Sequence, residues 1–174
     1  GDLCYEHDRL NKGNPYEGSA RVPMLIRFPE CIAAGQTYMQ PMGTVDVTPT
    51  LLGLAGIKTN HEFEGRDLTA QFSGGGAGQG KQVTFLRNSG TEPQWVCAVD
   101  DRFKLVLSVN DQPWLFDAEQ DPDELLNFYR RPGSRAATQR LAIALQQYGK
   151  QKSDAHLQHP AIVASLKKCL AAKE

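Results

Sequence analysis

Cysteine is sparse in this 174-residue sequence: there are four, Cys4, Cys31, Cys97 and Cys169, and no two form a Cys-x-x-Cys pair. They are too few and too scattered for a disulfide-held mini-scaffold or a zinc ribbon. Isolated thiols of this kind read as small apolar side chains and leave the redox compartment open. Long hydrophobic runs are missing as well; nothing approaches the roughly 18 apolar residues that span a bilayer, which excludes a membrane-embedded role. Nor is there an excess of positive charge. Nineteen Lys plus Arg against 20 Asp plus Glu give a net charge of −1, so no basic field is available to hold a nucleic-acid backbone. The first residues, Gly1-Asp2-Leu3-Cys4, carry neither an initiator Met nor a basic-then-apolar leader. Either the start was processed or the residues belong to a longer protein. What is present is 40% hydrophobic, enough to build a core of domain size.

Along the chain, residues 1–20 are polar, with a Gly-Asn-Pro turn at Gly13–Pro15, and read as a surface or functional loop. Val22–Phe28 is a short apolar run of the length expected for a buried strand, with Pro23 near its start. Thr44–Gly56 reads as a helix, with Thr44 and Thr48 as alternative caps, Pro49 suited to a first turn and Gly56 to the end. Ser73–Gly80 holds five glycines and reads as a linker. Beyond it, Gln82–Leu86, Gln94–Val99, Phe103–Val109 and Trp114–Phe116 alternate with turn signals and predict an antiparallel meander. Asp121-Pro122-Asp123-Glu124 has the form of a helix start. Ala136–Tyr148, with Leu141, Ala144, Leu145 and Tyr148 on one stripe, predicts an amphipathic helix, and Pro160–Ala172 a second.

Several motifs invite chemistry and are better read structurally. Gly75-Gly-Ala-Gly-Gln-Gly-Lys81 opens like a phosphate-binding loop, yet Gln82 stands where Ser or Thr should hold magnesium and no strand precedes it. Asp117, Glu119, Asp121, Asp123 and Glu124 lack the glycine and the terminal Glu of a calcium loop, so capping is preferred. His156 and His159 have no third ligand nearby and read as part of a solvated tail, and His61 carries no usable signal.

The order of residues is more informative. Lys12-Gly-Asn-Pro-Tyr-Glu17-Gly-Ser-Ala-Arg21-Val-Pro23, followed by Met-Leu-Ile-Arg-Phe-Pro29 and by Val45-Asp46 through Gly56-Ile57, resembles the second half of a formylglycine-dependent sulfatase of the alkaline-phosphatase superfamily. Gly65-Arg66-Asp67-Leu68 resembles the family's Gly-Arg-Ser-Leu segment, Phe103-Lys104-Leu105 its Tyr-Lys-Leu strand, and Trp114-Leu115-Phe116-Asp117 with Asp121-Pro-Asp-Glu124-Leu-Leu-Asn127 its Asp-Pro-x-Glu-x-x-Asn signature. Ser73–Gly80 and the tail from Ser153 have no counterpart.

The resemblance implies an α/β, alkaline-phosphatase-like core fragment over residues 1–72, a linker over 73–80, an α+β subdomain over 81–152 whose small antiparallel sheet packs on a helix, and a helical tail over 153–174. It implies a sulfuric ester hydrolase acting on sulfate esters with a divalent cation, usually calcium, and a formylglycine made from Cys-x-(Pro/Ala)-x-Arg. None of the four cysteines opens that motif, and Gly1-Asp2 resembles the end of the second metal-ligand segment, so nucleophile and metal ligands are expected in a preceding part of the same protein. The fragment alone is then expected to be inactive, and its unpaired sheet edge makes a dimer or a rearrangement of the fragment an expected outcome. Lys12 matches the lysine that contacts the sulfate oxygens, and His7 a histidine that either meets substrate or braces the loop. Glu17 and Arg21 are expected to anchor that loop through buried ion pairs, and Asp46 to be a helix-start residue. Export is the implied localisation. A phosphate diester or phosphonate hydrolase of the same superfamily, and a non-catalytic interaction domain, remain as alternatives.

Overall fold

The computed structural model describes residues 1–74 and 82–171. The phosphate-loop pattern at Gly75–Lys81 and most of the glycine linker lie outside the described residues. The described elements begin with short helical turns, Glu6–Asp8 (3-10) and α1, Glu17–Ala20. A 3-10 turn at Thr44–Asp46 then runs into α2, Val47–Leu54, and α3, Thr69–Phe72, follows. Four strands come next: β1 Thr84–Arg87, β2 Trp95–Val99, β3 Phe103–Ser108 and β4 Trp114–Asp117. The chain then forms α4, Arg135–Lys152, a 3-10 turn at His156–Gln158, and α5, Pro160–Ala171.

The strands form one antiparallel sheet in the order β1-β2-β3-β4, with Thr84 opposite Val99, Val96 opposite Leu107 and Leu105 opposite Leu115. Because side chains alternate between faces with period two, this register sorts them into two layers. Val96, Ala98, Leu105, Leu107 and Leu115 face the helices and pack with Leu141 and Leu145 of α4 and Ile162 and Leu166 of α5. Cys97, Val106 and Phe116 face the other way and are covered by Tyr16 of the N-terminal loop and by Trp95 and Trp114. The sheet is thus sandwiched between two helices and the loop that bears the candidate site. Spacing of four residues puts Leu141 and Leu145 on one stripe of α4, and Tyr148 extends it by stacking on Phe85 at 4.4 Å.

A smaller cluster, Leu54, Leu68 and Phe72 with Ile26, Phe28 and Tyr38, holds the first part together. Its polar hinge is Asp46, which is buried and accepts hydrogen bonds from the backbone N–H groups of Gly43 (2.9 Å) and Arg66 (2.7 Å) and from the Arg66 guanidinium (2.7 Å). Neither Thr44 nor Thr48 caps α2; Thr50 instead bonds back to the Asp46 carbonyl at 2.6 Å. Gly56, at φ +67°, closes the helix as expected. Gly65 is required by close approach, since a Cβ there would lie 1.9 Å from the Val45 carbonyl oxygen.

Three further expectations about the elements are overturned. Val22–Phe28 has no regular secondary structure and joins no ladder, and Leu25 is 98% exposed. A strand needs a neighbour for its N–H and C=O groups, and among the described residues the ladders all lie in the four-stranded sheet. Asp121–Glu124 forms a turn, not a helix start: Glu124 takes φ +53° and the Asp121 carboxylate accepts the Leu126 N–H at 2.7 Å, local bonding that competes with helix. His156 is buried, 2% exposed, in its 3-10 turn rather than solvated. No helix among the described residues is long and apolar enough to cross a membrane.

Candidate functional site

The loop at residues 1–20 is wound tightly, and largely by residues other than glycine. Cys4, Tyr5, His7, Asp8 and Asn11 all take left-handed φ values, between 48° and 75°, a conformation that costs side-chain-bearing residues about 1–3 kcal/mol each and persists only where the surroundings impose it. Here they do: Leu3 is fully buried, its N–H donates to the Asn11 carbonyl at 3.1 Å, and the Tyr5 N–H donates to the Arg9 carbonyl at 2.9 Å. The His7 ring lies flat on Tyr16, 3.7 Å between centroids and 8° between planes, and Tyr16 in turn packs on Trp114 and Phe116. An aromatic column therefore runs from His7 down to β4.

Beneath Tyr16 is a buried knot of charge. Lys104 of β3 and Glu124 are each 4% exposed at the side chain; the Lys104 ammonium donates to Glu124 Oε1 at 2.7 Å and to the Pro15 carbonyl at 2.9 Å, and it also pairs with Glu17. The second Glu124 oxygen accepts the Glu17 backbone N–H at 2.7 Å. Burial works against the ammonium, but the two carboxylates outweigh it and raise the Lys104 pKa. Burial is also the main reason that the Glu124 carboxyl is pushed up, with Lys104 pulling the other way. Two carboxylates share one cation. Glu17 therefore anchors the loop as expected; Arg21 does not do so by burial, being exposed at the cleft.

An open cleft of about 680 Å³ lies alongside, lined by His7, Glu17, Arg21, Pro122 and Asp123 among others. His7 therefore reaches the cleft. Lys12 is exposed and lies outside the residues lining it. Its neighbour Gly13, at φ +107°, is fixed on both sides: the carbonyl accepts Trp95 Nε1–H at 2.9 Å and the N–H donates to Ser19 Oγ at 3.1 Å.

Among the described residues no group of three or more His, Cys, Asp or Glu side chains could hold a metal ion. The acidic run is otherwise engaged: Asp117 accepts two hydrogen bonds from Arg102 at 2.8 and 2.7 Å, Asp121 holds the turn, and Glu124 holds Lys104. Cys97 is buried, and burial pushes its thiol up to about 12, which leaves it unreactive.

The residues that sequence reasoning missed are Lys104, Glu124 and Trp95. The first two sit inside the quoted motifs, where a lysine in an apolar strand and a glutamate after Asp-Pro were the available signals. Asn127, the last residue of the signature, has its own explanation: its Oδ1 accepts the Leu115 and Tyr129 N–H groups at 3.0 and 2.9 Å, and its amide donates to the Pro113 carbonyl at 3.1 Å.

Among curated proteins the chain is 31% identical over 144 residues to arylsulfatase K of Xenopus laevis, covering 73% of this chain and 26% of that protein. It is 34% identical over 135 residues to the choline-sulfatase of Rhizobium meliloti (strain 1021), covering 76% and 26%. A phosphonate monoester hydrolase from Silicibacter pomeroyi superposes with a TM-score of 0.69 at 25% identity, over 90% of this chain and 34% of that one. The chain spans about a quarter of the length of these curated relatives. Its fold is that of solved sulfatases, alkaline-phosphatase-like, with the small four-stranded sheet and its helices. Residues 5–151 match the family described as N-sulphoglucosamine sulphohydrolase, C-terminal, and the chain belongs to that family of sulfatase domains.

Proposed function

We propose that these residues serve as the C-terminal part of a sulfuric ester hydrolase, donating Lys12 to the sulfate oxygens and His7 to the wall of the substrate cleft. As a sulfur centre is attacked, charge moves onto its oxygens, and an ammonium held nearby in a water-poor site lowers the barrier. The observation that carries the reading is the restraint on the loop: Gly13, next to Lys12, is hydrogen-bonded at both its N–H and its carbonyl, and Pro15 and Glu17 are tied to buried Lys104. A loop fixed that firmly is suited to holding a charge in one place. His7, stacked on Tyr16, either meets the substrate or sets the loop's shape; both uses need the same ring position.

Nucleophile and divalent cation are assigned to the remainder of the same protein, so the isolated chain is inactive on this reading. The run Val22–Phe28 supports such a partner, since an apolar segment outside any ladder with Leu25 in solvent is available to pair with another strand. Export of the whole enzyme is the accompanying proposal, by the family resemblance. The test is Lys12→Ala in the full-length enzyme: kcat for a sulfate ester falls on the order of 100- to 1000-fold, and undiminished turnover rejects the reading. The similarity to a phosphonate monoester hydrolase favours a second reading, in which the same ammonium meets a phosphonate ester. Comparing kcat/KM for p-nitrophenyl sulfate and a p-nitrophenyl phosphonate distinguishes the two.

A further inference from the structure

Lys12 is exposed, and its side chain is not pinned by burial, so the accuracy with which it is presented depends on the backbone beside it. That backbone is gripped from the C-terminal sheet at two points. On one side Trp95, in β2, donates its indole N–H to the carbonyl of Gly13, 82 positions away in sequence. On the other, Lys104, in β3, donates to the carbonyl of Pro15, 89 positions away, and is itself locked by Glu124 and Glu17. Adjacent strands thus hold the two carbonyls that bracket Asn14. Neither Trp95 nor Lys104 lines the cleft.

We propose that Trp95 and Lys104 are positioning residues, which set the place of the Lys12 ammonium by fixing the carbonyls of Gly13 and Pro15 onto neighbouring strands of the sheet. The small sheet then has a part in the reaction, although it supplies no group to the substrate. The inference rests on Lys12 meeting the reacting anion. A shift of about 1 Å in such a group is enough to cost on the order of a hundredfold in rate, and loss of one of two grips is expected to cost about tenfold.

Because Lys104→Met strands the buried Glu124 carboxylate and can simply unfold the protein, the deciding variant is Trp95→Phe, which keeps an aromatic ring at the position and deletes the donor. In the full-length enzyme, Trp95→Phe is expected to lower kcat about tenfold at nearly unchanged KM and melting temperature. Combined with Lys12→Ala, it is expected to lower kcat no further, because a residue that acts only through Lys12 has nothing left to position. An equal loss in both backgrounds, or no loss in the wild-type background, overturns the positioning role while leaving the role of Lys12 intact. If Lys12→Ala itself leaves turnover unchanged, the reading of Lys12 falls first and the positioning role with it. Lys104→Met, if it folds, is held to the same non-additivity.

Discussion

Lys104 and Glu124 meet in the interior, Nζ to Oε1 at 2.7 Å, and through them a strand of the C-terminal sheet grasps the N-terminal loop. Taking one partner from a buried pair leaves the other charge without compensation, a loss of about 3–5 kcal/mol. Lys104→Met in this chain is therefore expected to lower unfolding free energy by about that much in a urea titration. Glu124→Gln keeps the shape and leaves Lys104 to Glu17, so its loss should be smaller. Equal effects of the two variants contradict the shared-cation arrangement.

The first part of the chain is expected to depend on Gly65 for steric reasons. A Cβ placed there meets backbone, not a movable side chain, at 1.9 Å from the Val45 oxygen. Gly65→Ala should cost about 1–3 kcal/mol or more and loosen the Asp46–Arg66 contact, visible as faster amide exchange at Arg66 and Leu68. Wild-type exchange rates there speak against the assigned contact.

Acid sensitivity follows from Asp46, Asp100 and Asp117. Each is held below the usual carboxylate range: Asp117 chiefly by Arg102, and Asp46 and Asp100 by hydrogen bonds and arginine charge that outweigh the opposing effect of burial. A carboxylate with a lowered folded pKa contributes stability above its unfolded pKa, about 4, and loses it as pH falls through the folded value. Glu124 acts with the opposite sign, because its raised pKa means that stability is lost as pH rises through the folded value. Three groups against one predict a urea midpoint that falls with pH below about 4, more shallowly in Asp46→Asn. An unchanged slope in that variant removes Asp46 from the account.

The isolated 174 residues are expected to hydrolyse p-nitrophenyl sulfate at background, since no nucleophile motif is present and no metal-ligand group occurs among the described residues. Clear turnover by the purified chain contradicts the assignment of those groups to the rest of the protein.

Leu25, 98% exposed, offers a comparison between the chain and the whole enzyme. Leu25→Asp should shift the stability of the isolated chain by no more than about 0.5 kcal/mol, as for other surface positions. In the full-length enzyme it should destabilise by several times that amount if Val22–Phe28 is a buried strand there. Indifference in both settings rules out that burial.

The meander was legible in the sequence because each of its four strands is short, rich in β-branched and aromatic residues and bounded by turn residues; the observed limits lie within two residues of the expected ones. Helices α4 and α5 were equally plain from their spacing. Val22–Phe28 failed because an apolar run states that burial is wanted and cannot say whether a neighbour is within reach. Asp121–Glu124 failed because its cap-like pattern is also the pattern of a turn, and the choice was made by Lys104, distant in sequence, drawing Glu124 inward. Lys12 and His7 entered only through the family resemblance; the grip of Trp95 and Lys104 on their loop is a long-range contact that no local pattern encodes.

Asn127 has a consequence for self-association. Its side chain and the Phe128 N–H occupy the outward-facing N–H and carbonyl of Leu115, the latter at 2.8 Å. The outer margin of β4 is therefore already bonded at Leu115 to the chain's own turn, and a foreign strand arriving there finds both of that residue's backbone groups taken. Strand addition is hindered at that point of the flank, and Asn127→Ala is the change that would free the Leu115 N–H.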